Sequence, residues 1–422
     1  MKILRIIFLS AILVSSAYAS AGIFSSPFMQ KLKGNLTGVD SNYVERNHYD
    51  WALSARFRTA QEYMKVESDD GLKTTMHSTV THKIGPHFGW RFLKAGISYD
   101  FGYKIDDPDR KKQELSASIF SQMFNFDLVY RVSGGDYSLS NLQFPYDETI
   151  GYNPIYDEDD PKHNAPNYKL SDYILDFMNL LDISGYMVRT KTLSANGYYV
   201  FNHKKFSYPA AWTNATRQKI SVGSPLVGLG YTRHSETNAL SMLQVAAVTL
   251  LETMQDEGLE LKQDFKKVLK GSKLCSETKF EDFTLWGGYA YNWVPCRNVL
   301  IGASATIGAG IKHLTGNNHK AVENMKVLND GTLSDIKYEI PDPYEFSTTT
   351  IDWNAVGRIS AAWTNDKLFG GVRANVNYNR YKNGSNSFNY EYYTWGAMMY
   401  FGFKFGASKF WKAKRGFSTS KH

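Results

Sequence analysis

Residues 124–132 read FNFDLVYRV, and the reading of this stretch decides the fold. Phe124, Phe126, Leu128, Tyr130 and Val132 fall on one face of an extended chain; Asp127 and Arg131 fall on the other. A period of two marks a strand with one apolar and one polar side, because successive side chains point to opposite faces. Sandwich strands share that period but run about 5–6 residues. This run is longer, and alternating strands of about 9–11 residues have the length that crosses a bilayer in a closed barrel.

The same pattern recurs in both directions along the chain. In 95–104 (AGISYDFGYK), Ala95, Ile97, Tyr99, Phe101 and Tyr103 oppose Ser98, Asp100 and Lys104. In 51–59 (WALSARFRT), Trp51, Leu53, Ala55 and Phe57 oppose Arg56 and Arg58. Residues 299–311 alternate aliphatic side chains with Gly, Ser and Thr, and residues 351–363 set Ile351, Trp353, Ile359 and Trp363 against Asp352, Asn354, Arg358 and Ser360. The expectation is an all-β protein: a single antiparallel transmembrane barrel of about 12 strands, within a range of about 10–14.

The strands are placed near 49–65, 72–92, 94–105, 112–121, 124–134, 184–200, 218–234, 280–294, 297–312, 348–364, 367–382 and 388–405, with a break expected at Gly85-Pro86. With the N-terminus in the periplasm, short periplasmic turns fall at Leu93, Ser121–Met123, Pro295-Cys296 and Asn365-Asp366. Long polar connections at 135–183, 235–279 and 313–347 become the external loops. The alternation of short and long is what an outer-membrane barrel requires.

The ends fit that location. Lys2 and Arg5, an apolar run from Ile6 to Val14, and Ala17-Tyr18-Ala19 read as a signal peptide over 1–19. Residues 20–48 then form a periplasmic N-terminal segment, 49–405 the barrel and 406–422 a basic tail. The most apolar later stretch, 241–251, falls short of the roughly 20 residues of a spanning helix. The net charge of +7 is concentrated at the chain ends, so no nucleic-acid surface is read from it. The two cysteines, Cys275 and Cys296, are assigned to opposite ends of one strand and are not expected to bond.

One periplasmic connection is long. Residues 198–212, YYVFNHKKFSYPAAW, lead into it. Pro209 cannot donate to a ladder. Phe201, Phe206, Tyr208 and Trp212 supply anchors, with Asn202, Lys205 and Ser207 between them. The expectation is a folded belt that seals the lower rim or tucks into the lumen. Ser207 as a nucleophile finds no acid–base partner in this stretch.

These residues also carry a family resemblance. Tyr199–Asn202, Lys205–Ala211, Gln218-Lys219 and Gly223-Ser224 resemble a YxFN entry, a KFSYPAA core, a Gln-Lys pair and a strand-opening Gly-Ser. That pattern is similar to an uncharacterised outer-membrane barrel family of Bacteroidetes-type bacteria, of unknown function. Residues 40–51 and 287–295 are similar to its N-terminal entry and a later strand, whereas the insert at 252–275 departs from it. The resemblance implies fold and location, and it transfers no catalytic residue.

The polar faces place Arg56, Arg58, Glu62, Asp100, Asp127, Arg131, Arg189, Asp352, Arg358 and Arg373 in the lumen. They read either as a salt-bridged, closed interior or as a narrow pore. The acidic run YDEDDP at 156–161 reads as a solvated external loop, with a divalent-cation site as its sharper reading. Thr394, Gly396, Met399 and Phe401 match the terminal-strand signal of barrel assembly. The partners expected are outer-membrane lipid, lipopolysaccharide and the assembly machinery. No cofactor or metal is called for, and no oligomeric state is read.

The functional reading is a non-enzymatic outer-membrane barrel, serving passive solute or lipid passage or a structural role in the envelope. The alternative is a barrel-embedded lipid hydrolase, of phospholipase or lipid A deacylase type. It needs a His and a Ser or Asn on neighbouring strands, facing lipid. His77 beside a serine of an adjacent strand is the candidate; His234 and Ser235 point to opposite faces.

Overall fold

A computed structural model of the chain describes residues 38–68, 71–91, 93–101, 113–134, 137–143, 149–153, 156, 159–180, 188–238, 275–319, 345–382 and 388–407. The expected signal peptide, the insert at 252–275 up to residue 274, and the tail beyond 407 lie outside them. The strands are β1 (Val44–Arg46), β2 (Tyr49–Ser68), β3 (Lys73–Ser78), β4 (Thr81–Trp90), β5 (Leu93–Asp100), β6 (Gln113–Phe120), β7 (Phe124–Gly134), β8 (Tyr137–Gln143), β9 (Val188–Val200), β10 (Thr216–Gln218), β11 (Val222–Asn238), β12 (Glu277–Cys296), β13 (Val299–Asn317), β14 (Glu345–Thr364), β15 (Leu368–Lys382) and β16 (Phe388–Ala407). Among the described residues the helices are α1 (Leu170–Leu180) and α2 (Tyr208–Trp212).

Twelve of these strands form a closed antiparallel barrel in the order β2, β4, β5, β6, β7, β9, β11, β12, β13, β14, β15, β16. β16 returns to β2, from Phe388↔Ser68 to Ala407↔Tyr49, so the sheet has no open edge there. Every expected strand is present. The side chains alternate as the pattern demands: Leu229, Phe283, Leu285, Ile307, Ile311, Ile359, Val376 and Phe401 stand exposed on the outer wall. A continuous apolar outer band around a polar interior is the arrangement of a barrel made for lipid.

The expected break at Gly85-Pro86 lies elsewhere. Ala60 pairs with Thr81 and Tyr63 with His77, so two residues of β2 face three between β3 and β4. That extra residue is a bulge at Thr79-Val80, which explains why even positions point inward in β3 and odd ones in β4. Ser78 fastens it, accepting at its carbonyl from Gln61 (3.0 Å) and at Oγ from the Glu62 amide (3.0 Å). Pro86 stays inside β4, and the β4–β5 ladder skips residues 85 and 86, where no proline N–H exists to give.

The long 135–183 connection contributes structure that the sequence pattern hid. β8 pairs with β3, extending the wall at the long-loop end. Met64, Val66, Leu72, Met76, Tyr137 and Leu142 are buried there, a small core separate from the lumen floor. The turn joining β12 and β13 is Arg297-Asn298, two residues later than expected. Cys275 is buried just before β12 and Cys296 is exposed at its far end, and both are free. Mass spectrometry of non-reduced, thiol-blocked protein is therefore expected to return two blocked cysteines. A 275–296 bridge in the folded monomer would overturn the β12 assignment.

Candidate functional site

The site is the lumen, and its floor is the segment between β9 and β11. Asn202 turns the chain inward: its amide donates to Ser224 Oγ (2.9 Å) and its Nδ2 to the Gly223 carbonyl (3.0 Å). Ser207 then caps α2, its Oγ accepting from the Ala210 amide (3.3 Å), with Pro209 in the first turn where its missing N–H costs nothing. Five residues make this helix, and all five are buried. Asn214 takes a left-handed φ of 53° and sends the chain out to β10.

The segment is a plug. Phe206, Tyr208, Ala210, Ala211 and Trp212 pack with Phe120, Val200, Leu226, Ala290, Leu300 and Ala362, which project from six strands around the wall. The wall makes room for it: a Cβ on Gly302 would lie 2.6 Å from the Ala211 methyl. Polar groups are matched as tightly. Asn292 Nδ2 donates to the Ser207 carbonyl (2.9 Å), and Asn214 Nδ2 to Tyr400 OH (3.0 Å). Lys94 Nζ donates to the Thr213 carbonyl, and Arg358 Nη1 to Tyr208 OH at 3.0 Å. Burial raises the Tyr208 phenol pKa above its ordinary value, with the Arg358 charge opposing.

Of the residues expected in this belt, Phe206, Ser207, Tyr208, Pro209 and Trp212 enter the lumen. Phe201 does not: it is 56 % exposed and meets Tyr199 edge-on at 5.0 Å, on the outside of the wall. Lys205 is exposed too, its ammonium over the Tyr43 ring at 5.1 Å, which ties the N-terminal segment to the plug. The tie is reinforced where β1 pairs with β10 and where Gln218 Nε2 donates to the carbonyls of Lys205 (2.8 Å) and Tyr43 (3.2 Å).

Above the plug the interior is charged. Glu114 is its hinge, accepting from Arg58 Nη1 at 2.5 Å and Arg131 Nε at 3.0 Å. Arg131 also donates to Glu62 (3.3 Å), which accepts from Tyr137 OH at 2.6 Å. Asp127 lies among Arg56, Arg358 and Arg373, and Arg373 stacks over the Tyr400 ring at 4.1 Å. Nearer the long loops, Lys312 is fully buried beside Asp282 (3.6 Å), and Asn354 Nδ2 donates to the same carboxylate at 2.6 Å. A cavity of about 50 Å³ remains beside His234, Glu236 and Tyr392.

The expected lumen residues Arg56, Arg58, Glu62, Asp127, Arg131, Arg358 and Arg373 are thus brought together. Asp100 points inward, half-buried, opposite Lys83 in register. Asp352 sits at the long-loop end, 3.8 Å from Arg380 and apart from the others. Arg189 is a correction. It is exposed on the outer face while its neighbour Thr190 is buried, because β9 begins beyond the lipid-facing band, where an outward charge meets water. Glu114, Asp282, Lys312 and Lys94 were not singled out from the sequence. Their signal was a charge on the polar face of a strand already placed.

The hydrolase geometry can be placed as well. His77 and Ser138 are register partners on β3 and β8, on the outward side. No hydrogen bond joins them among the described contacts, and the His77 ring stacks on Tyr63 at 5.8 Å. A Ser–His contact does form among the described residues, Ser116 Oγ to His87 Nε2 at 3.3 Å, and it faces the lumen. The acidic run 156–161 is described in part, and Asp160 there caps a turn, accepting from the Lys162 amide at 2.9 Å. Among the described residues no group of three His, Cys, Asp or Glu is placed to hold a metal.

Solved barrels are similar over most of the chain at low identity. The outer membrane protein OprG of Pseudomonas aeruginosa is 11% identical, with a TM-score of 0.22, over 86% of this chain and 99% of that one. The P. putida toluene transporter TodX is 6% identical (TM-score 0.24; 85% and 91% covered). The translocator domain of the autotransporter NalP of Neisseria meningitidis is 8% identical (TM-score 0.26; 92% and 98% covered). No curated protein matches. A family model matches residues 38–154 and 184–405, and on that match the chain belongs to the DUF4421 family, a domain of unknown function.

Proposed function

We propose that the protein is a non-enzymatic barrel of a bacterial outer membrane, closed from within, with a structural role in the envelope. The plug carries this reading: Phe206, Tyr208 and Trp212 fill the short-turn end of the lumen, and ion pairs fill the space above. Passive passage would require α2 to leave a pocket in which all five of its residues are buried. The short-turn end faces the periplasm in this reading, and lipid and lipopolysaccharide contact the outer apolar band. The assembly machinery reads Thr394, Gly396, Met399 and Phe401 on β16. Refolded wild-type protein in a planar bilayer is expected to give no steady conductance, and a stable open level would refute closure.

A second reading, lipid hydrolysis, is kept alive by one observation, the outward register pair His77 and Ser138. A serine needs a hydrogen-bonded base to become a nucleophile. The stacking of His77 on Tyr63 turns the ring to other work. Mixed micelles of phospholipid are expected to release no fatty acid above a heat-denatured control. Release that disappears in Ser138→Ala would replace the main reading with this one.

A further inference from the structure

At the short-turn end, β1, β10 and two wall turns enclose a cleft of about 380 Å³. We propose that this cleft binds a short peptide carrying at least two carboxylates, an inference that rests on the periplasmic placement of this end. Its lining includes Arg46, Arg217, Arg297 and Lys404 against Glu45 and Asp366. Both acids are already engaged: Glu45 pairs with Arg217, and Asp366 accepts from Tyr49 OH at 3.1 Å. The cations are not all matched. Lys404 Nζ is held by a neutral hydroxyl, Thr364 Oγ1 at 2.9 Å, and Arg297 is exposed. Neither has an ion-pair partner among the described residues.

The neutral groups also present donors. Asn298 Oδ1 accepts from Arg217 Nη1 (3.4 Å) and Asn365 Oδ1 from the Asp366 amide (2.7 Å), which leaves both side-chain NH₂ groups to donate. Arg217 Nε is buried with no acceptor. Lys404 feels the carboxylates of Asp366 and Glu45 from beyond ion-pair distance. Four cations against two acids still leave the cleft net positive, with an exposed guanidinium at Arg297 and several unused donors on separate turns. Its complement is therefore acceptor-rich, anionic and extended. A single phosphate would fill little of it, since one water's share of liquid volume is about 30 Å³. A peptide with spaced carboxylates and carbonyls meets both cations at once, by charge-assisted hydrogen bonds. Such peptides occur free and as the cross-linking stems of the cell-wall polymer.

The test is calorimetry on the full chain refolded in detergent, titrated with a soluble disaccharide-tripeptide cell-wall fragment, with that tripeptide alone, and with inorganic phosphate. Binding of both peptide probes, weakened at least tenfold by Arg297→Glu, is the result expected. Arg297 lies on an exposed turn, and heat-modifiable migration checks that the variant still folds. Absence of binding at millimolar probe, unchanged affinity in Arg297→Glu, or phosphate competing as well as the peptide would each overturn the proposal. Requirement for the disaccharide would overturn the peptide assignment. The placement is tested separately: Cys296 adjoins the cleft, so in a Cys275→Ser background an impermeant maleimide should leave it unlabelled in intact cells. Labelling from outside would refute the periplasmic reading whatever the calorimetry gives.

Discussion

Changing Phe206, Tyr208 and Trp212 together to alanine should remove most of the assembled barrel and leave the remainder conducting. All three side chains are at least nine-tenths buried, in one cluster with residues from six strands. Truncating a buried Phe or Trp costs about 3–5 kcal/mol, and domains are stable by only about 5–15 kcal/mol. Neighbours do not add, yet even half the sum is a large share of the total. Tyr208→Ala also strips Arg358 of its phenol partner inside the barrel. The compact, heat-modifiable band in unboiled gels should fall several-fold. Bilayers should show an open level that the wild type lacks. Phe201→Ala, on the outer wall, is the control and should change little. A triple variant that assembles normally and stays silent would mean that the floor is held by something else.

Glu114→Gln should be the most damaging single substitution in the lumen. The change keeps the shape and removes the charge that Arg58 and Arg131 share. Those two guanidiniums would then depend on Glu62, which reaches only Arg131. Leaving a buried charge unmatched costs about 3–5 kcal/mol, whereas removing both partners is often nearly neutral. Denaturant titration of the refolded barrel should therefore show a marked loss in Glu114→Gln and partial recovery in Glu114→Gln with Arg58→Met. If the double variant is no better than the single, the loss does not come from leaving Arg58 unmatched, and the charge-pair account of Glu114 fails.

The wall was legible because its rule is local. Each of the twelve strands declares itself by alternation, and the outward positions in lipid must be apolar, so the signal repeats. Where the rule was suspended the reading failed. β8 reads poorly because its ladder with β3 shifts register between Thr75 and Met76, placing buried Tyr137 and Leu142 at positions of opposite parity. Arg189 was misplaced because beyond the lipid band both faces of a strand tolerate charge. The plug announced its place, through Pro209 and an over-long turn at the wrong end, but not its depth. That depth depends on Gly302 and Asn292, distant in sequence. Glu114 stayed hidden for the same reason: its role exists only when the closed wall brings Arg58 of β2 across the lumen to β6 and its neighbour β7.

The closure of β16 on β2 bears on the order of events during biogenesis. Tyr49 waits for Ala407 and Ser68 for Phe388, so the first wall strand stays one-sided until the last has been made. Contacts so distant in sequence form late, since the chain entropy of the intervening loop must be overcome first. β1 is in the same position, because its partner β10 follows the plug. Two unsatisfied ladders at the start of the chain are templates for mispairing with other chains. A holding factor that masks β2, and yields it only to β16, would convert that hazard into a sequence of steps: floor inserted, N-terminal arm latched, seam zipped.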